Sequence, residues 1–443
     1  MTKIKALTRL EPALGLVGLL LALAVWVRPL SAQGWDQDYE KRAQEVLENL
    51  VRLNSLRGWA PQAPATWPES PARPDNFTPE RPAQGVRWDR SQAPARLTSL
   101  LLANQGLSRA ADFSGLTSLE RLEVYGNHLR GLNLAGDSAL ANLMAQHNQL
   151  TTLQLEETPA LTTLALSGNK LTRLELAATP HLKELSISQN QLKELDLSHN
   201  RELVSLQAAN NHLTTLDLSP NQALTHLTLS YNQLTGLDLS GQPHLTELAV
   251  RGNQLTSLDL RPTPKLAELA VSRNQLTSLD ISPCPHLTSL DAAQNPLTSL
   301  TLGDNPLAGL LNLNLDGGRL PLSQLLPLVG RAQRRNHLGS QDKVFFEHLR
   351  LDLGATLDLS SEAQLGGSAT IYTVLTDKKR RVKPEVYHEE GGRLTFLQPG
   401  RYLVMMTNDS VLDANRLSGH QRRFKVKAHT GLVEVAAPGG ARP

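Results

Sequence analysis

At 443 residues the chain is long enough for more than one domain. Its formal net charge of +2 excludes nucleic-acid binding by overall charge. Its single cysteine, Cys284, excludes an intrachain disulfide, a cysteine-built zinc site and a CxxC redox pair. The charge is uneven. Residues 97–318 carry 12 Lys/Arg against 20 Asp/Glu, a net −8, and residues 320–443 carry 18 against 12, a net +6.

The amino terminus reads as an export signal. Lys3, Lys5 and Arg9 form a basic start, Ala13 to Val27 is an uncharged apolar run, and Leu30-Ser31-Ala32 offers a cleavage site. The run is short for a membrane span, which needs about 20 residues; an uncleaved anchor is the alternative reading. No cysteine follows for lipidation, no second apolar stretch occurs, and the tail has no LPxTG-type wall anchor. Residues 36–57 predict an amphipathic helix, with Asp36 as N-cap, Gly58 as stop, and Tyr39, Ala43, Val46, Leu47, Leu50 and Leu53 on one face. Residues 60–95 are proline-rich and polar and predict irregular chain. All five tryptophans lie at or before Trp88, and they read as a cap over the open end of the core that follows.

From about 97 to 320 the sequence repeats. Asn127, Asn148, Asn169, Asn190, Asn211, Asn232, Asn253, Asn274 and Asn295 fall at a fixed 21-residue spacing. LTELAVRGNQLTSLDL, from Leu245 to Leu260, is one clean copy of the pattern LxxLxLxxNxLxxLxL. Irregular copies start at Leu97, with Gln105 where Asn belongs, and at Leu310, with Gly318 there. A fixed period of this size is the signature of a solenoid. The LxL alternation gives a short strand with its leucines inward, and stacking at about 4.8 Å per coil predicts about ten to eleven coils of curved parallel β-sheet with little helix. The amide of Asn offers both donor and acceptor, which suits it to the unpaired backbone groups of a turn. The second LxL, as in Leu216 and Leu218, predicts another strand on the opposite side of the coil.

This pattern is that of the leucine-rich repeats, and the 21-residue length with the LTxLDLSxN wording resembles bacterial internalin-like proteins. That resemblance implies a protein that binds, in host attachment, biofilm contact or another surface interaction. Leu322 to Val329 predicts a short closing helix or turn. Six strands are then expected, at 349–353, 356–359, 369–375, 393–397, 402–406 and 424–426, forming a β-sandwich. The run from Asp358 to Asp409 resembles the immunoglobulin-like tail of secreted leucine-rich-repeat proteins of Bacteroidetes-type bacteria. The expected organisation is a signal at 1–32, a helix and Trp/Pro-rich cap at 33–95, the solenoid at 96–320, a cap and linker at 321–342, the sandwich at 343–430 and a disordered tail at 431–443.

No catalytic constellation stands out, and neither an enzyme activity nor a cofactor is expected. Cys284 sits near His286, a pairing that would suit a nucleophile. Its place in the return loop, aligned with Gln222, Gln242 and Pro264, reads instead as structural. His181, His244 and His286 share one repeat position but lie on different coils, too far apart for one metal ion. Asp196, Asp217, Asp238, Asp259 and Asp280 form a column that reads as solvated and bonded to neighbouring hydroxyls, with a weak cation edge as the alternative. Lys378-Lys379-Arg380-Arg381-Val382-Lys383 reads as a solvated turn or as a surface, glycan or nucleic-acid contact. Asp137-Ser138-Ala139 and Asp409-Ser410-Val411 match a short O-glycosylation pattern.

The outward strand positions are the variable ones. Two clusters of Tyr and Arg, the types favoured at contact centres, are the candidate binding residues: Arg121 with Tyr125, and Tyr231 with Arg251 and Arg273. The expected protein is secreted or at the cell surface, with the periplasm as the alternative location. It is expected to be a monomer that binds a protein or glycan and no nucleic acid. A periplasmic or envelope scaffold without a host partner is the alternative role.

Overall fold

A computed structural model describes residues 84–89, 96–303, 309–328, 335–338, 340–365, 367–417, 420–425 and 427–436. The export-type segment, the helix expected at 36–57 and Trp26, Trp35, Trp59 and Trp67 lie outside these residues. The chain forms two compact units, one ending at Leu224 and the other beginning at Thr225. Both contain the parallel-strand coils that the 21-residue period predicts, and among the described residues helix is scarce.

In the first unit the coil strands Arg96–Leu102, Arg121–Glu123, Asn142–Met144, Thr163–Ala165, Glu184–Ser186 and Ser205–Gln207 stack in parallel. Register advances by one repeat per strand, as in Leu143 opposite Leu164. Gln84–Asp89 pairs antiparallel with Arg96–Leu102, although the sequence there predicts irregular chain. A strand supplied from outside the repeats thus covers the first coil's backbone edge. The second side of the coil is a ladder only over Ser108–Asp112, His128–Asn133 and Thr152–Gln154. Further along, a bond such as Gln191 N to Leu171 O at 2.9 Å joins neighbouring coils, and the second LxL is held by burial of leucines such as Leu174 and Leu176.

Each coil contributes columns of leucine to the core, such as Leu119, Leu140, Leu161, Leu182 and Leu203, all fully buried. At about 1.5–3 kcal/mol per buried leucine, these columns dominate the favourable side of folding. The asparagines sit at the turn after the strand. Asn169 accepts the Leu150 N–H on Oδ1 at 2.9 Å and donates from Nδ2 to Ala145 O at 3.0 Å and Leu166 O at 2.8 Å. Leu166 belongs to its own coil, and Ala145 and Leu150 to the coil before. Asn148, Asn190, Asn211, Asn253, Asn274 and Asn295 repeat the same three bonds one period apart.

In the second unit the coil strands are His226–Thr228, Glu247–Ala249, Glu268–Ala270, Ser289–Asp291, Asn312–Asn314 and Arg335–His337. The last of these lies beyond the repeats legible in the sequence. Its turn is closed by Gln341, which accepts Leu320 N at 2.9 Å and donates to Leu315 O at 2.9 Å and Leu338 O at 2.8 Å. Gln341 therefore does the work of a ladder asparagine with one more methylene. The longer reach needs room at Gly318, where an added Cβ would lie 2.7 Å from Gln341 Oε1. The missing asparagine at 318 and the glutamine at 341 are one adjustment. On the second side of these coils Ser278–Asp280 pairs with Ser299–Thr301.

The coil sheet closes on a hairpin, Leu412–Leu417 with His420–Lys425, whose first strand runs antiparallel to Arg335–His337. The remaining strands form two sheets. One has the order Ser340–Asp352, Lys427–Ala436, Gly400–Asn408, Ser368–Thr376, Gln364–Leu365; the other is Thr356–Asp358, Arg393–Phe396, Tyr387–Glu390. Val374, Leu394, Phe396, Val404 and Met406 are fully buried, and Phe396 stacks on Tyr402 with ring centroids 5.0 Å apart. The tail expected to be disordered from 431 is, up to Ala436, a strand parallel to Ser340–Asp352. Alternate residues Val433 and Val435 are buried, which is what orders it.

The helix Leu322–Leu325 is tied to the segment between these sheets by a buried acid. Glu362 accepts the Ser323 N–H at 3.0 Å and its hydroxyl at 2.5 Å. Burial, and then the nearby Glu362 carboxylate, hold the Tyr372 hydroxyl well above its usual pKa. Two measurements test these joints. Asn169→Ala strands three buried main-chain groups and should lower stability by about 3 kcal/mol or more in denaturant unfolding; a loss below about 1 kcal/mol would mean the ladder is dispensable. Glu362→Ala should cost about 1.5–3 kcal/mol. It should also increase amide exchange in the closing helix, and unchanged exchange there would rule out Glu362 as the tie.

Candidate binding face

The exposed face of each coil strand is set by two residues flanking a buried leucine. In the first unit Arg121 and Glu123 flank Leu122, and Arg121 Nη2 lies 2.6 Å from Glu123 Oε1. The Glu123 side chain is only 7% exposed. Partial burial first, and then the Glu123 charge, raise the pKa of the Tyr125 hydroxyl. The Arg121 charge is thus spent within its own strand.

The second cluster lies in the second unit and depends on a recurring backbone feature. In most coils the residue just before the ladder position adopts a left-handed conformation, φ 52–73° at Gly126, His147, Gly168, Gln189, Asn210, Tyr231, Gly252, Arg273, Gln294 and Gly317. Glycine adopts this region without strain; other residues pay about 1 kcal/mol or more. Tyr231 accepts that strain at φ 57°. Its ring leans over the next coil, where a Cβ on Gly252 would sit 2.7 Å from Tyr231 Cδ1. Gly252 leaves the space that the ring fills, and Tyr231 remains 43% exposed.

Arg251 is anchored on the coils that follow. Its guanidinium donates to Ser272 Oγ from Nε at 2.7 Å and to Asp291 Oδ2 from Nη2. Asp291 in turn accepts from Ser272 Oγ at 2.8 Å and from Asn314 Nδ2 at 2.8 Å. Partial burial opposes the Arg251 charge; the Asp291 carboxylate and the Tyr231 hydroxyl outweigh it, and the pKa ends above its usual value. Tyr231 and Arg251 are neighbours across two coils, with Tyr231 N donating to Arg251 O at 2.6 Å. Arg273 shares the left-handed column but is exposed and outside this network. Asp291 and Asn314, which complete it, were missed because they belong to later coils, distant from Arg251 in sequence. The one advance signal was Gly126, Gly168 and Gly252 recurring just before the ladder asparagine.

The other candidates resolve individually. Asp196 and Asp217, and in the second unit Asp238, Asp259 and Asp280, each accept the backbone N–H two residues on, at 2.8–3.0 Å. These are Asx turns that start the return loop. Hydrogen bonds from Arg261 hold the Asp259 carboxyl down at about 2. Cys284 is fully buried, and burial pushes its thiol up to about 11, far from a reactive thiolate. Its column corrects the sequence alignment: the equivalents one, two and three periods earlier are Thr263, Gln242 and Asn221, not Pro264 and Gln222. With Thr158, Thr179 and Asn200 of the first unit, these form a second buried polar series that sequence reading missed. Asn221 Nδ2 donates to Asn200 O, and Asn200 Nδ2 to Thr179 O, both at 2.8 Å.

His181 lies 2.9 Å from Glu202, and His244 Nδ1 lies 3.1 Å from Lys265 Nζ. Among the described residues no three His, Cys, Asp or Glu side chains group as a metal site, and no helix is long and apolar enough to cross a membrane. Asp137 is fully buried and accepts Leu116 N at 2.7 Å, while Ser138 beside it is exposed. Ser410 Oγ donates to Ser368 Oγ at 3.0 Å.

No protein-family profile matches the chain, and no curated protein does. Among solved structures, a leucine-rich-repeat protein of Leptospira interrogans is 25% identical with a TM-score of 0.43, over 52% of this chain and 68% of that one. The functional domain of InlJ from Listeria monocytogenes, described as including a cysteine ladder, is 20% identical with a TM-score of 0.39, over 77% of this chain and 91% of that one. YopM, a leucine-rich effector protein from Yersinia pestis, is 27% identical with a TM-score of 0.43, over 56% and 78%.

The Tyr231–Gly252 fit gives a stability test that needs no ligand. Gly252→Ala should destabilise by about 1–3 kcal/mol, combining a strained φ with overlap on the ring. Part of that cost should disappear when Tyr231→Ala is made as well. A double-mutant cycle with coupling below about 0.3 kcal/mol would show that ring and glycine are independent.

Proposed function

We propose that this chain is a non-enzymatic recognition protein that binds a protein partner through the strand face of its second unit, with Tyr231 as the anchor. The observation that carries this reading is the exposed ring seated over Gly252. It is 43% exposed and held on a strained backbone, with its Cδ1 2.7 Å from where a Cβ on Gly252 would be. Contact energy concentrates on Tyr and Trp held in place before binding, because little side-chain freedom is then lost. Arg251, next to the ring's own coil, lines a pocket together with Ala249, Ala270 and the exposed Glu247 and Glu268. Such a pocket admits a partner's side chain.

The setting we read is outside the cell or at its surface, in adhesion, biofilm contact or host interaction. The basic start, the apolar run and Leu30-Ser31-Ala32 support export. We read the C-terminal strands as an immunoglobulin-like domain that closes the coils, and the whole as a monomer. Arg121 and Tyr125 form a secondary contact in this reading, and Arg273 a peripheral one.

A photo-crosslinking residue in place of Tyr231 should give one discrete protein adduct in host or bacterial-envelope extract, and the same label at Thr235, exposed on another side of that coil, should not. With the adduct identified and purified, Tyr231→Ala should weaken its binding by roughly 30-fold, the effect of losing about 2 kcal/mol. Equal labelling from Thr235, or unchanged affinity on loss of the ring, would refute the anchor.

A further inference from the structure

The second unit carries another surface with a different chemistry. Between the strand Ser368–Thr376 and residue 383 lie Lys378, Lys379, Arg380, Arg381 and Lys383, all exposed. The backbone beneath them is closed on itself. Thr376 N donates to Arg380 O at 2.7 Å, Lys379 N to Thr376 O at 2.8 Å, and Arg380 N to Thr376 Oγ1 at 3.2 Å. Leu375 bridges to Arg381, Val382 N donates to Val374 O at 3.0 Å, and Lys379 takes the left-handed conformation at φ 58°. Five cations are therefore carried on a fixed turn.

Among the described residues none of the five makes an ion pair, and the acid inside the turn, Asp377, faces Arg401 at 3.8 Å. Clustering like charges on a fixed backbone costs free energy, and a polyanion that spans the cluster offsets it. The turn's composition narrows the polyanion. Single-stranded nucleic acid is gripped by stacking on exposed aromatic rings, and residues 377–383 contain none. Lasting attachment to a membrane takes an apolar insertion as well as the cations. The one apolar residue here, Val382, is half-buried with its N–H bonded back into the sheet. What remains is recognition by ammonium and guanidinium groups alone.

We propose that this turn binds a polysaccharide bearing sulfate or phosphate groups, independently of the strand face. The test uses the full chain with heparin as the sulfated probe, beside a single-stranded oligonucleotide and vesicles containing anionic phosphatidylglycerol, at about 0.1 M salt. Lys378→Gln, Lys379→Asn and Lys383→Gln are combined in one variant; asparagine tolerates the left-handed position. A charge-matched control removes Lys170, Lys183 and Lys193, exposed in the first unit, as glutamines. The expected result is a fall in heparin affinity of roughly tenfold or more for the turn variant, and less than about twofold for the control, both with wild-type melting behaviour. Unchanged heparin binding in the turn variant would overturn the proposal, as would equal losses in both variants. Tighter binding of the wild type to the oligonucleotide or the vesicles than to heparin would reject the polysaccharide.

Discussion

The structure depends on one electrostatic necessity: a backbone that turns every few residues inside a core must not leave its N–H and C=O groups bare. A single carboxamide at each turn meets it. Asn169 serves one carbonyl of its own coil and one carbonyl and one N–H of the coil before. Each asparagine therefore fixes spacing and turn geometry together, and the leucine columns can pack in register only because it does. The series of Thr, Asn, Gln and Cys on the return loop answers the same need at the other end of the coil.

This is also why the repeats could be read from sequence and their ends could not. A side chain that must reach the same three groups in each coil admits little variation, so Asn127 to Asn295 recur without a slip. Where the spacing stretches beyond the regular period, from Gly318 to Gln341, the same bonds are made by a longer amide over an empty position, and the pattern vanishes from the letters while persisting in space. The strands Gln84–Asp89 and Lys427–Ala436 escaped for a related reason. Neither has a repeat to announce it, and each is fixed by the partner it pairs with.

The candidate site was half legible. Tyr231 and Arg251 could be picked by residue type and outward position, but what each does was decided by neighbours. Asp291 claims the Arg251 charge, so that arginine is braced by an acid and offers no free cation. Arg273, alike in sequence, has no such brace. The turn at residues 376–383 is the converse case, with charge plain in the sequence and rigidity visible only in the main-chain bonds that close it. Recognition surfaces built on repeats differ from their scaffold in this respect: the periodic residues describe the frame, and the aperiodic ones acquire meaning from contacts across coils.

The antiparallel hairpin that ends the coil sheet sets a clock. Arg335 pairs with Asn415, which the chain delivers only after most of the C-terminal strands have been made. At about 5–20 residues per second, a ribosome needs roughly 4 to 16 s to pass from the first to the second. For that interval the last coil strand presents an uncovered edge to any extended chain nearby, including another nascent copy. Coil strands within the stack are covered by the next repeat in about a quarter of that time. The final coil is thus the place where assembly is slowest and most open to mispairing, and an exported chain would cross that window unfolded.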